Sequence, residues 1–240
     1  MIWRFIYMNF FQLIHPIMLK GYQKIHKKNL HILQEKIELT ENVIYMVNHS
    51  CRWDTPVAAS AIEDHVYSLI GKQPLNVSDR IGLTLNGTIW VDRKNKVSRE
   101  KAYEKMKQFL QNQMSILLFP EATWNLSDSK PMLPIYWGGI RLSMETGKPI
   151  VPIVMEYKGT EDVYLCFGMP MYFSEYEDKQ KCANAVRDAM ATLRWKIWEE
   201  FPVEKRRNID MEEWHREACR RVEEYPKLNY EYEMSCIRQM

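Results

Sequence analysis

The segment VIYMVNHSCRWDT, residues 43–55, joins an uninterrupted apolar run to a histidine and, five positions later, an aspartate. The run at 43–47 predicts a strand covered on both faces, and residues 55–62 predict a helix after it. His49 and Asp54 are therefore expected in a strand-to-helix turn, where side chains from a buried sheet reach solvent. Histidine suits proton removal near neutral pH, and a carboxylate on its second ring nitrogen would fix the tautomer.

Three further segments follow along the chain: GTIWVDR at 87–93, FPEAT at 119–123 and IVPIV at 150–154. With the His49 segment, in this order and at this separation, they resemble the four sequence blocks of the lysophospholipid acyltransferase family, the 1-acylglycerol-3-phosphate O-acyltransferases and their relatives. The resemblance covers about residues 40–157, half of the chain. It implies transfer of a fatty acyl chain from an acyl thioester to a lipid hydroxyl.

The resemblance also implies roles for four residues. The histidine and aspartate of the first block act as general base and orienting acid, which would be His49 and Asp54. The arginine of the second block, here Arg93, binds the acceptor's phosphate, and the glutamate of the third, here Glu121, helps to position the acceptor. Other roles stay open: Asp54 could cap the following helix, Arg93 could pair with Asp92, and Glu121 could accept hydrogen bonds from backbone amides.

Neighbouring residues complete the predicted site. Thr123 and Trp124 are predicted to line the acceptor site, and Asn48 to support it through hydrogen bonds, with turn hydrogen bonds and plain packing as the alternatives. Cys51 lies two positions from His49, and a thiolate there would suit thioester chemistry. Since residues i and i+2 rarely face each other in a turn, direct transfer to the acceptor is preferred over a cysteine intermediate.

The third block departs from the usual pattern of that family, Phe-Pro-Glu-Gly-Thr-Arg. Ala122 replaces the glycine and Trp124 the arginine, and the segment YWGG at 136–139 lacks a lysine that commonly precedes the glycine. Two cations that would meet an anionic head group are absent, and tryptophan cannot replace a bidentate guanidinium. The acceptor therefore stays open between a lyso-phospholipid and an acceptor without phosphate, such as a glycolipid, an amino-acid lipid or a secondary metabolite. A catalytically silent lipid-binding protein is the alternative outside the enzymes.

Length, charge and cysteine content narrow the class of protein. The 240 residues suffice for one α/β domain with peripheral helices, and a net charge of +2 is too small to indicate a nucleic-acid partner. Five scattered cysteines without a Cys-x-x-Cys pair favour neither a disulfide framework nor a zinc site. We expect catalysis without metal or cofactor, with acyl-CoA or acyl carrier protein as the thioester. Nothing in the sequence indicates the oligomeric state.

The N-terminal region is apolar, aromatic and basic, and no acidic residue precedes Glu35. Residues 3–19 are too short and too polar for a spanning helix, but they suit a helix lying among the head groups of an anionic leaflet. The expected location is the cytoplasmic face of a membrane, with peripheral or monotopic attachment. The alternative is a helix packed on the domain's own core. Residues 21–37 predict a second, more basic helix.

Apolar runs alternate with helical patterns over most of the chain. Strands are predicted at 43–47, 66–70, 88–92, 115–119, 150–156 and 162–167, with helices at 55–62, 98–112 and 139–145. The alternation predicts an α/β fold with a mostly parallel or mixed central sheet flanked by helices. We expect interfacial helices at 1–38, the acyltransferase α/β core at 39–173 and C-terminal helices packed on the core at 174–240, including one at about 210–224.

Overall fold

The computed structural model describes residues 2–26, 28–72, 75–125, 130–159 and 161–201, and single positions between 210 and 220. Within these ranges the chain forms seven strands and six main helices, in this order: α1 (Ile2–His26), β1 (Asn29–Gln34), β2 (Ile44–Val47), α2 (Asp54–Ile62), β3 (Tyr67–Gly71), α3 (Val77–Leu85), β4 (Ile89–Val91), α4 (Lys96–Gln111), β5 (Ile116–Leu118), α5 (Gly138–Thr146), β6 (Ile150–Lys158), β7 (Asp162–Phe167) and α6 (Lys179–Glu200).

The strands make one mixed sheet in the order β1-β7-β6-β2-β5-β3-β4. Neighbouring strands run parallel except β6 and β7, which are antiparallel. The central strand β2 is buried along its whole length, with Met46 opposite Leu118 of β5 and Pro152 of β6. The predicted α/β fold with a mixed sheet is confirmed, as are the six predicted strands.

Alternate residues of β2 enter two separate cores. Ile44 and Met46 join the core on the side of α4, α5 and α6, whereas Tyr45 and Val47 join the core on the side of α2. A continuous apolar strand is the expected sequence for this position, because both of its faces are covered. Helix α5 approaches β2 closely: a Cβ atom at Gly139 would overlap the Met46 side chain.

The N-terminal region differs from the prediction of two helices. One helix, α1, spans Ile2–His26, and the predicted second helix over 21–37 is wrong beyond His26, because Asn29–Gln34 form the edge strand β1. Pairing with β1 satisfies the outer backbone groups of β7, and this tertiary gain overrides local propensity. Asp162 of β7 accepts hydrogen bonds from the side chains of Asn29, at 3.2 Å, and His31, at 2.8 Å. Residues 29–34 thus belong to the sheet.

Helix α1 combines a buried side with an apolar exposed side. Phe11 and His15 are buried, and the Phe11 ring contacts the Tyr67 ring edge-on. Leu13 and Ile17 are 74% and 70% exposed. Within the described residues, no helix combines the length and apolarity that a bilayer span requires.

Helix ends explain the remaining differences from the predicted elements. Helix α4 begins at Lys96, two residues before the predicted start at 98, because Asn95 is its N-cap and accepts a hydrogen bond from the Ser98 amide at 3.0 Å. Helix α5 ends, as expected, before Gly147 in the left-handed conformation. Helix α3 (Val77–Leu85) was not predicted, and none of its residues is buried.

Helix α6, in the C-terminal region predicted to be helical, covers the sheet with an apolar stripe. The buried residues of the stripe are Cys182, Val186, Met190 and Ile197. Arg194 is buried on the same side and is only 4% exposed. The helix predicted at about 210–224 lies largely outside the described residues.

Candidate active site

Three segments of the predicted site meet at one edge of the sheet. His49 follows β2, Arg93 follows β4, and Phe119 and Pro120 follow β5, and these strands are parallel. Their carboxyl ends therefore lie on the same edge, where open α/β sheets bind their ligands. A mostly apolar cavity of about 1460 Å³ opens there, and its walls include His49, Arg93, Thr123, Trp124 and part of α1.

His49 and Asp54 form the expected hydrogen-bonded pair. The distance from His49 Nδ1 to Asp54 Oδ2 is 2.7 Å, and Asp54 is fully buried. The same carboxylate accepts hydrogen bonds from the amides of Ser50, at 2.5 Å, and Cys51, at 2.9 Å, and from the Tyr157 hydroxyl, at 2.7 Å. Burial alone would raise the pKa of Asp54, but the hydrogen bond and charge of His49 and the hydrogen bonds from the Cys51 and Ser50 amides lower it below the usual value.

An ionised Asp54 keeps the proton of the neutral imidazole on Nδ1, so Nε2 carries the lone pair that a general base needs. Asp54 is the first residue of α2, and Trp53 is the N-cap without a side-chain cap bond. The Asp54 carboxylate thus accepts hydrogen bonds from the turn and from the His49 imidazole, and it does not cap α2.

The other sides of the His49 ring are also occupied. Phe119 stacks on one face, with ring centroids 4.3 Å apart and planes inclined by 24°. The indole Nε1 of Trp124 donates a hydrogen bond to His49 Nε2 at 3.0 Å. His49 is therefore held at both nitrogens and one face, and its side chain is 19% exposed.

Glu121 reaches His49 through the backbone. Its carboxylate accepts hydrogen bonds from the His49 amide at 3.1 Å and the Leu133 amide at 2.8 Å, and the residue is fully buried. Burial raises the pKa of Glu121 to about 7, although the amides of Leu133 and His49 act in the opposite direction. In this geometry Glu121 holds the turn that carries His49, and it presents no surface to an acceptor.

The loop that donates to Glu121 is braced by Arg194, a residue that the sequence analysis did not select. Arg194 Nε lies 2.7 Å from Glu156 Oε2, and its Nη1 donates to the Pro131 carbonyl oxygen at 2.7 Å. A signal existed in the sequence, because Arg194 interrupts the apolar stripe of α6 between Met190 and Ile197. Buried arginines require such partners.

Tyr157 is the second residue that the sequence analysis missed. It lies in β6, and burial and the charge of Asp54 raise the pKa of its hydroxyl well above the usual value. The hydroxyl therefore keeps its proton and donates to Asp54. Its position as the penultimate residue of β6 carries no sequence signal that identifies this role.

Arg93 lies on the cavity wall as a cation without a carboxylate partner in the described part of the chain. Its Nη1 donates to the Ala122 carbonyl oxygen, and the neighbouring Asp92 accepts a hydrogen bond from the Lys94 amide instead of pairing with Arg93. A Cβ atom at Gly71 would lie 2.9 Å from Arg93 Nε, so the glycine makes room for the guanidinium. The predicted alternative of an Asp92–Arg93 ion pair does not form.

The remaining predicted residues lie around the same turn. Thr123 is buried at the cavity wall. Asn48 pairs with the backbone of Met155, donating to its carbonyl oxygen at 3.0 Å and accepting from its amide at 2.7 Å. This side chain extends the contact between β2 and β6 by one residue and positions the adjacent His49. The His49 carbonyl oxygen accepts a hydrogen bond from the Asn125 amide at 2.7 Å.

Cys51 is poorly suited to act as a nucleophile. Its thiol lies 3.4 Å from Asp54 Oδ1. Burial, followed by the charge of Asp54, raises the pKa of Cys51 far above the usual value, so the thiolate is disfavoured. Among the described residues, no group of three His, Cys, Asp or Glu side chains has the arrangement of a metal site.

The sequence matches a known protein family over the region that contains this site. The family model described as Acyltransferase matches residues 24–156, more than half of the chain. The chain belongs to the Acyltransferase family. It is therefore an acyltransferase, as the sequence blocks predicted, and all seven predicted site residues fall within the matched region.

Solved structures show a similar fold. The crystal structure of PlsC from Thermotoga maritima, a 1-acyl-sn-glycerophosphate (LPA) acyltransferase, aligns with a TM-score of 0.60 and 15% sequence identity, covering 79% of each chain. At this identity the similarity shows the fold alone. The search of curated protein sequences found no significant match.

Proposed function

We propose that the protein transfers a fatty acyl chain from an acyl thioester, acyl-CoA or acyl carrier protein, to a hydroxyl of a lyso-lipid, as in phospholipid biosynthesis. The observation that carries this proposal is the His49–Asp54 pair at the wall of a large apolar cavity. A cavity of about 1460 Å³ has room for an acyl chain together with the reacting groups.

In the proposed reaction, His49 Nε2 removes the proton of the acceptor hydroxyl as its oxygen attacks the thioester carbonyl carbon. Asp54 stabilises the imidazolium that forms. The C–S bond breaks as the tetrahedral intermediate collapses, and the thiolate leaves and takes up a proton. No metal or cofactor takes part in these steps.

The proposed acceptor site has Arg93 at the predicted phosphate position, where a phosphate site commonly has several cations. Two further arginines line the cavity, but Arg52 pairs with Asp79 at 3.2 Å and Arg99 donates to the Arg93 carbonyl oxygen at 2.6 Å. Trp124, at the position of the family's arginine, donates to His49, and Trp137 donates to Gln180 at 3.0 Å. These two contacts favour the second candidate, an acceptor without phosphate such as a glycolipid, an amino-acid lipid or a secondary metabolite.

We further propose that the protein works at the cytoplasmic face of a membrane, attached peripherally or monotopically. Support comes from the exposed apolar residues Leu13 and Ile17 of α1 and from the exposed Lys20. Met18 and Tyr22 of the same helix line the cavity. A lipid drawn from the bilayer would therefore reach the cavity beside α1.

The test is acyl transfer by the purified protein. Acyl-CoA and acylated carrier protein are offered in parallel with a panel of lyso-lipids, and mass spectrometry of the lipid products identifies the acceptor. The expected result is an acylated product that His49→Ala does not form. A catalytically silent lipid-binding protein would form no acylated product with either donor, whichever acceptor is offered. That result would refute the proposed function.

A further inference from the structure

We infer that Trp124 is a gate on the general base: its indole caps His49 Nε2 until the acceptor displaces it, and so protects the thioester from water. This inference rests on the proposed acyl transfer. The carrying observation is the 3.0 Å hydrogen bond from Trp124 Nε1 to His49 Nε2. The indole approaches the imidazole edge-on, with planes at 86° and centroids 6.0 Å apart.

The cap blocks the base because a neutral imidazole has one nitrogen lone pair. His49 Nδ1 is committed as donor to Asp54, which leaves only the lone pair on Nε2 to accept a proton. That lone pair already accepts the indole N–H. Neither water nor an acceptor hydroxyl can donate to Nε2 with good geometry unless the indole moves away.

The surroundings hold the indole in this capping position. Trp124 is 5% exposed, and the adjacent Asn125 amide is tied to the His49 carbonyl oxygen at 2.7 Å. The loop carrying the cap is thus anchored to the residue that it caps. A water molecule alone offers little binding energy to break this contact, whereas a lyso-lipid that fills the apolar cavity offers much more.

The uncapped base is a hazard for this chemistry. Water that donates its proton to His49 Nε2 would attack the thioester carbonyl carbon, break the C–S bond and release a fatty acid and a thiol. A gate that yields only to the acceptor directs the acyl chain to the lipid instead. This is induced fit of the kind that suppresses hydrolysis of reactive substrates.

The first experiment measures the cap without relying on acyl transfer. Diethyl pyrocarbonate modifies free imidazole nitrogens, and mass spectrometry of peptides reports its rate at each histidine. Trp124→Phe retains an aromatic ring but lacks the donor, so His49 should react about fivefold faster than in the wild type. His31, with 42% of its side chain exposed, is the internal reference. Trp195→Phe is the matched control, because Trp195 is 54% exposed on α6 and is not part of the cavity wall.

The second experiment measures thiol release from acyl-CoA without acceptor, and acyl transfer with acceptor. In Trp124→Phe the ratio of hydrolysis to transfer should rise about fivefold, which corresponds to about 1 kcal/mol at ~1.4 kcal/mol per factor of ten. Trp195→Phe should keep the wild-type ratio. Trp124→Leu, which also lacks a donor, is the second variant in case the phenylalanine variant folds poorly.

The outcomes are separable. Unchanged labelling of His49 in both Trp124 variants would overturn the cap, whatever the enzyme's substrates. Faster labelling with an unchanged ratio of hydrolysis to transfer would overturn the gate. Faster labelling in a protein that releases no thiol with any acceptor would refute the proposed function while leaving the capping contact established.

Discussion

The amide of His49 donates to the buried carboxylate of Glu121, with 3.1 Å between His49 N and Glu121 Oε1. His49, the proposed general base, and the third sequence block are thereby joined through the backbone, across 72 residues of sequence. The other carboxylate oxygen accepts from the Leu133 amide. One side chain thus fixes two loops at the carboxyl edge of the sheet.

Glu121→Gln should destabilise the protein and lower kcat. The side-chain NH₂ of the glutamine would face the backbone N–H of His49 or Leu133, which in the wild type donates to a carboxylate oxygen. A buried donor left unsatisfied costs about 1–3 kcal/mol. Urea unfolding and turnover with saturating thioester measure the two effects. Glu100→Gln, at an exposed position of α4, is the control. Wild-type stability and turnover in Glu121→Gln would show that the two amide contacts are dispensable.

His49→Ala should lower kcat by roughly two to four orders of magnitude, the usual range for a lost general base, with little change in thioester affinity. Asp54→Asn should also be severe, because asparagine can stabilise the wrong tautomer. Cys51→Ala, in the same turn, is the control and should keep nearly full activity. A His49→Ala variant with more than about a tenth of the wild-type rate would exclude His49 as the base.

Lysophosphatidate should not be preferred over a neutral or zwitterionic lyso-lipid by more than about tenfold in kcat/KM, a gap of about 1.4 kcal/mol. The reason is that Arg93 occupies the predicted phosphate position, whereas Arg52 and Arg99, which also line the cavity, are bonded to Asp79 and to the Arg93 carbonyl oxygen. Arg93→Gln should reduce use of anionic acceptors more than use of neutral ones, and Trp124→Arg should shift preference toward lysophosphatidate. A competition assay with mixed acceptors measures this preference. Strong selection of lysophosphatidate by the wild-type protein would contradict the prediction.

Replacing Leu13 and Ile17 together by glutamine should weaken sedimentation with anionic liposomes, because both side chains are exposed and apolar. Point substitutions are preferable to deletion of α1, since Phe11 and His15 of this helix are buried. Tyr176→Gln, at a residue that is 91% exposed, is the control. Equal liposome binding by the double variant and the wild type would assign α1 a purely structural role.

Acidification should loosen the contact between α1 and the core. Asn86 accepts hydrogen bonds from His15, at 2.9 Å, and His65, at 3.1 Å. Burial, and secondarily the nearby His15, lowers the pKa of His65 to about 4. The unfolded chain therefore binds more protons between about pH 6.5 and 4, so stability is present above that window and is lost as the pH falls through it.

The size of this effect is measurable against His65→Gln, which does not titrate. Between pH 7 and 5 the wild type should lose about 2 kcal/mol more unfolding free energy than the variant. Urea unfolding at several pH values gives the difference curve. A flat difference curve would mean that folding does not change the pKa of His65 and would contradict the prediction.

Local sequence was sufficient for much of the sheet and for the pair at its edge. In an α/β fold the central strands are covered by helices on both faces, so the apolar runs of β2 to β7 are sufficient to predict these strands. His49 and Asp54 are five residues apart in one turn, and their 2.7 Å contact needs no distant element. Arg93 was placed near them by a resemblance between sequence blocks, which local patterns alone do not supply.

Only the tertiary structure decided the features that depend on distant partners. The strand β1 exists because β7, more than 100 residues away, needs an edge partner. Tyr157 and Arg194 gain their roles from contacts across 103 and 63 residues, with Asp54 and Pro131. The indole of Trp124 meets His49 across 75 residues. Hydrogen bonds of this kind depend on where the folded backbone brings two segments together, whereas the period of apolar residues reports only which face of each segment is buried.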